Sequence, residues 1–78
     1  LKDFYELISS KLQANNIKII DIKNYPYMQK YVFQKGAFTA EIDFFYNNKK
    51  QFKRFIPQVN KSTSTELLNE IIELIKIQ

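Results

Sequence analysis

The sequence predicts an α+β fold: a two-layer sandwich in the order helix, three or four antiparallel strands, helix, with both helices on one sheet face. Three observations carry this. Apolar residues recur at helical spacing near both ends of the chain. Between them, residues 37–46 alternate apolar and polar with period two. Asn, Pro and Gly punctuation cuts the middle into short β-rich runs.

From Asp3 to Asn15, the positions of Phe4, Leu7, Ile8 and Leu12 make an amphipathic helix. Asn15-Asn16 stops it, because Asn tolerates the left-handed conformation that ends helices. Ile17 to Lys23 (IKIIDIK) is β-branched and reads as a strand whose alternation breaks at Ile19-Ile20, the mark of a bulge or of burial on both faces. NYPY is a turn or strand edge, since Pro26 lacks a donor and holds Tyr25 extended. Tyr27 to Lys35 is a second strand, ended by Gly36.

Ala37 to Tyr46 is the clearest strand. Its even positions, Phe38, Ala40, Ile42, Phe44 and Tyr46, form a core face, and Thr39, Glu41 and Asp43 point outward. Phe45 is an aromatic on the outward side. Asn47-Asn48 and the adjoining lysines supply a turn, and Gln51 to Ile56 returns as a strand ended by Pro57. Thr63 and Glu66 have capping-box spacing, and Leu67, Leu68, Ile71, Ile72, Leu74 and Ile75 form a broad apolar stripe running to Ile77, with Glu66, Glu70 and Glu73 opposite. Helices at the two ends of a meander pack on one face of the sheet and leave the other open.

The chain of 78 residues is one small domain, residues 1–78, that relies on its apolar core. It has no cysteine and no histidine, which removes disulfides, thiolate metal sites and the usual proton shuttle. Its start at Leu1 and its closing apolar helical pattern are those expected of a domain excised from a larger protein. No apolar run approaches the roughly 20 residues of a membrane span, so no membrane partner is expected, and the bacterial cytoplasm is the default location. The net charge of +4 is uneven. Residues 1–16 are balanced, residues 17–61 hold nine bases against three acids, and residues 62–78 hold one base against three acids.

The basic segment YNNKKQFKRF, residues 46–55, is aromatic as well. A two-residue loop would pair Phe45 with Phe52 and Asp43 with Arg54; a three-residue loop would pair Phe45 with Lys53 and Asp43 with Phe55. Either register puts at least two phenylalanines on the outward face beside a cation. Cations neutralise phosphates and flat rings stack on bases, so the candidate nucleic-acid-binding residues are Phe45, Lys49, Lys50, Phe52, Lys53, Arg54 and Lys61. Lys61 enters with the helix start at Ser62 to Thr65, where free backbone donors gather. Two other readings of the hairpin stand beside this one. Lysines at edge strands prevent aggregation, and outward aromatics serve protein or interdomain contacts.

The helix, strands, helix order resembles the double-stranded RNA-binding domain over most of the chain. That resemblance implies duplex-RNA contacts through the first helix, the first strand-strand loop (here NYPYMQ) and the start of the last helix (here NKSTSTE, with Lys61). AEIDFFYNNKKQF, residues 40–52, is similar to hairpins of small accessory domains of bacterial DNA helicases and related ATPases, which implies an auxiliary module of a motor.

Catalysis is poorly supplied, so an enzyme is not expected, and neither is a cofactor. Asp21-Ile-Lys23 has the acid-x-Lys form of metal-dependent nucleases, but such a site would need Asp21, Lys23, Glu41 and Asp43 to converge. Pairing of those acids with Lys53 or Arg54 explains the same residues. Tyr25 and Tyr27 suit an interface, whereas Tyr31, beside Val32 and Phe33, suits the core. The expected function is a non-enzymatic accessory domain that binds DNA or RNA through the basic-aromatic hairpin. The alternative is a protein-interaction or dimerisation module, contacting another domain of its parent protein or forming a weak homodimer through the last helix.

Overall fold

The computed structural model describes residues 2–49 and 52–76; the side chains of residues 2–5, 7 and 52 lie outside that description. The element order is α1 (Lys2–Ala14), β1 (Lys18–Tyr25), β2 (Met28–Lys35), β3 (Phe38–Tyr46), β4 (Phe52–Gln58) and α2 (Thr65–Lys76). The strands pair antiparallel in the order β1-β2-β3-β4, so β1 and β4 are the edges. Both helices contribute side chains to one core on one sheet face, as the sequence predicts.

The predicted stop of α1 is a left-handed Asn. Asn16 has φ 63°. The Ile17 N–H donates to the Leu12 carbonyl (2.9 Å) and the Asn16 N–H to that of Gln13 (3.0 Å), the two bonds of a Schellman motif. Leu12 and Ile17, which flank the motif, are both buried.

The broken alternation of β1 is a bulge. Its register with β2 passes from Ile19↔Phe33 to Asp21↔Val32 and leaves Ile20 unpaired and half exposed. The extra residue lets Ile19 and Ile22, three positions apart, pack on the same core. In a regular strand they would face opposite ways. Pro26-Tyr27 connects β1 to β2, and the Tyr27 carbonyl accepts the Tyr46 N–H at 2.9 Å, lacing this turn to the end of β3. Gly36, at φ 61°, opens the two-residue turn to β3.

In β3 the even residues Ala40, Ile42, Phe44 and Tyr46 are buried. Phe38 departs from the set at 62 % exposure, because it lies at the sheet margin beside the start of α2. Tyr31 takes its predicted place in the core, edge-on to Phe44 with ring centroids 4.9 Å apart. Ile8, Leu12, Phe33, Ile42, Phe44 and Ile71 are fully buried with it. Strand β4 runs past Pro57 to Gln58, which an edge strand permits because only one of its sides is paired.

At the start of α2 the predicted Thr63–Glu66 capping box is not formed. The cap is Ser64, whose Oγ accepts the Leu67 N–H (3.2 Å). Thr63 instead bridges to Thr39 and takes the Asn60 N–H on its own hydroxyl (3.0 Å). This contact with β3 shifts the helix start by one residue. Leu67, Leu68, Ile71 and Ile75 are buried, and Lys35 at the end of β2 bonds Glu70 at 2.9 and 3.1 Å.

Two predictions follow from local geometry. Asn16→Ala should cost about 1 kcal/mol in urea unfolding and Asn16→Gly nothing, since only glycine adopts that conformation freely. The Tyr46 hydroxyl, which donates to Gln29 Oε1 at 2.9 Å, is pushed above the ordinary phenol range by burial, with a hydrogen bond from Tyr31 pulling the other way. The folded chain therefore holds this proton more tightly than the unfolded chain does. Its contribution is intact below the unfolded pKa of 10.0 and is lost as pH rises from there through the folded value. Tyr46→Phe should make the alkaline loss of stability shallower, measured as the urea midpoint against pH.

Candidate nucleic-acid interface

The sheet face away from the helices is built from cross-strand rows, because directly paired residues share a face. One row is Asp21–Val32–Glu41–Gln58, the next Lys23–Lys30–Asp43–Ile56, and the last, at the hairpin end, Tyr25–Met28–Phe45–Arg54. With Lys18, which pairs with Gln34, this face carries four cations against three acids. Its charge is therefore local and not general.

The centre is a polar cluster in which Asp43 Oδ1 is buried without a hydrogen bond. Lys30 Nζ lies 3.6 Å from Asp43 Oδ1 and 3.7 Å from Glu41 Oε1, distances of Coulombic contact. The Gln58 amide donates to Asp43 Oδ2 at 2.9 Å. Asp43, although on the open face, is only 6 % exposed, held between Lys30 on β2 and Gln58 on β4. Lys30 is thus a neutralised cation.

The hairpin end differs. The Arg54 guanidinium carbon stands 5.3 Å from the centroid of the Phe45 ring, a cation-π seat worth about 0.5–1 kcal/mol that holds the charge in one place. Lys49 and Lys53 are exposed at the tip of the same hairpin. Tyr25 and Tyr27, at 49 % and 58 % exposure, stand at the β1–β2 turn, which lies at the same end of the sheet.

Several expectations are corrected by the register. Phe45 pairs with Arg54 and Tyr46 with Phe52, so five residues connect the strands and Lys53 is the bulged residue. Neither the two-residue nor the three-residue loop occurs. Phe44 pairs with Phe55, whose ring packs toward the core with centroids 6.2 Å apart, and Asp43 pairs with Ile56. Of Phe45 and Phe55, only Phe45 lies on the open face, and Arg54 covers one side of it. The Lys50 position and the Phe52 side chain lie outside the described residues.

Lys61 stands apart from the other candidates. It follows β4 in the segment that Thr63 ties to Thr39, at the opposite end of β3, about 25 Å from the hairpin tip. Three of the backbone donors proposed for a phosphate there are engaged: Ser62 by Asn60 Oδ1, Thr63 by the Asn60 carbonyl and Ser64 by the Thr39 carbonyl.

The residues weighed for a nuclease centre do not converge. Val32 separates Asp21 from Glu41 in their row, and Lys30 rather than Lys53 or Arg54 sits against Glu41 and Asp43. No cluster of three metal-ligating side chains occurs among the described residues. Tyr25 belongs with Arg54 in a way that counting lysines misses. The available signal was period two: Asp21, Lys23 and Tyr25 follow one another on the outward side of β1.

Asp43→Ala should destabilise the fold by about 1–3 kcal/mol, since it strips partners from Gln58 and Lys30 on a covered part of the sheet. Asp43→Asn, which keeps an acceptor for Gln58, should lose less. Urea unfolding of the two variants checks the difference.

Among the described residues, no helix is long and apolar enough to cross a membrane. No curated protein and no solved structure shows a significant match to the chain. A family model does match, over residues 1–75. It is not that of the double-stranded RNA-binding domain, and the four strands seen here form one unbroken meander. By that match the chain belongs to the family described as the TATA-binding-like protein domain of the TOTE conflict systems.

Proposed function

We propose that this chain is a nucleic-acid-binding module without enzymatic activity of its own, that its ligand is DNA, and that contact is made by the hairpin end of the open sheet face. The single observation that carries the reading is the row Tyr25–Met28–Phe45–Arg54, which joins exposed aromatic surface to a cation held in place. Lys49 and Lys53 extend the positive charge beyond it. Phosphates are drawn to such a corner by counterion release, and rings supply contact with bases. The family description, with its reference to TATA binding, favours DNA over RNA. The hairpin's similarity to helicase accessory domains suggests a parent protein that is a helicase or related ATPase.

A second reading has its own support. Ile56 on the open face and Ile20 at the β1 bulge are exposed at 38 % and 50 %, and exposed apolar residues of this kind fit a protein partner or a second copy.

The two readings respond differently to charge. Combined Lys49→Glu, Lys53→Glu and Arg54→Glu substitutions should weaken DNA binding at least about tenfold and flatten its dependence on salt, with the fold retained. Fluorescence anisotropy across a salt series measures both. Unchanged affinity and slope would reject the hairpin as the DNA contact and favour the protein-partner reading.

A further inference from the structure

Beyond the DNA reading, and without depending on it, we infer that the outer edge of β1 docks a second copy of this chain. The two β1 strands pair antiparallel about Ile22 and join both sheets into one.

β1 is an edge strand, so one row of its backbone N–H and C=O groups has no partner strand within the chain. The other edge, β4, carries Pro57, which has no N–H to give. Between its bulge and its turn, β1 offers a regular run from Asp21 to Tyr25. Ile20, just before that run, and Tyr27, just after it, are both largely exposed. Apolar surface therefore flanks the free edge at both ends.

Charge selects the register. Two identical strands paired antiparallel about a two-fold axis match residues of the same sheet face, so the axis passes through a residue. Within the regular run it can stand at Ile22, Lys23 or Asn24. At Lys23 it would set that lysine against its own copy, and at Asn24 it would leave Asp21 facing no cation. At Ile22 it sets Asp21 opposite Lys23 of the second copy, and Lys23 opposite Asp21 of the second copy. Opposite charges in such pairs stabilise a sheet and like charges destabilise it.

The chain itself leaves these two charges unmatched. Asp21 and Lys23 are exposed, and among the described residues neither forms an ion pair. Their β2 neighbours are Val32 and Lys30, the latter engaged by Asp43 and Glu41. A second copy supplies each missing counter-charge, twice over by symmetry.

The same register brings Tyr27 of the second copy alongside Ile17 and Lys18. There the end of α1 and the start of β1 enclose a groove of about 420 Å³, lined also by Leu12, Gln13 and Asn16. A tyrosine brings a broad ring for the apolar wall and a hydroxyl for the polar rim. The strand overlap is short, which puts this interface at the weak end of specific contacts.

The test is sedimentation equilibrium of the 78-residue chain over a concentration series reaching the millimolar range. The expected mass rises from one chain to two and no further. Asp21→Lys and Lys23→Asp each set like charges opposite one another, and each should weaken association at least about fivefold. The double variant, which exchanges the two charges, should associate like the parent. Amide spectra check that every variant is folded, and isotope-filtered NOEs should join Ile22 of one copy to Ile22 of the other. A chain that stays monomeric throughout would overturn the inference, as would a dimer unaffected by either single variant or a double variant no tighter than the singles. Each of those results leaves the DNA-binding reading standing, because the hairpin cations on which it rests are unchanged.

Discussion

Burial of the even-numbered side chains of β3 against the two helices is the constraint on which the rest of this structure depends. Ala40, Ile42, Phe44 and Tyr46 all face the core. Strand geometry then sends Glu41, Asp43 and Phe45 to the other side without further choice. Because the helices that fill the second layer both lie on the core side, the face carrying those odd residues stays open. A one-residue slip would exchange the two sets and expose Phe44 in place of Phe45, so the core that stabilises the domain also defines its open surface.

The open surface is neither uniformly basic nor uniformly apolar, and its division follows from pairing. Lys30 stands opposite Asp43 and diagonal to Glu41, so its charge is balanced locally. Arg54 stands opposite Phe45, which has no charge to neutralise it, and its guanidinium rests on the ring. The availability of each cation thus depends on its cross-strand neighbour. The turn beyond β1 adds two tyrosines to the hairpin end, and the Tyr27 carbonyl ties that turn to Tyr46 at the end of β3. Backbone bonding thereby holds together residues that are some twenty positions apart in the chain.

Much of this was legible in the sequence where one physical signal acted by itself. The alternation of β3, the left-handed Asn after α1 and the break at Ile19-Ile20 each have a local cause and each appear in the fold. Features that depend on two segments meeting were not legible. The β3–β4 register turns on a bulge at Lys53 that no turn motif announces, and with it Phe55, which a three-residue loop would set on the open face, lies on the core side. Thr63 has the spacing of a capping residue, yet its bond to β3 gives that role to Ser64. The candidate site was partly visible for the same reason. Arg54 and Phe45 lie in one hairpin, whereas Tyr25 joins them only through the pairing of all four strands.

The central claim is that the open sheet face, at its hairpin end, is the nucleic-acid contact. The most direct measurement is an amide-shift titration of the chain with short single-stranded and duplex DNA at low and at physiological salt. The account predicts saturable shifts that gather at Lys23 to Met28 and at Phe45 to Arg54, weaken as salt rises, and leave the outward residues of α1 and α2 unmoved. Shifts concentrated on the helices, or none with either form of DNA, would contradict it.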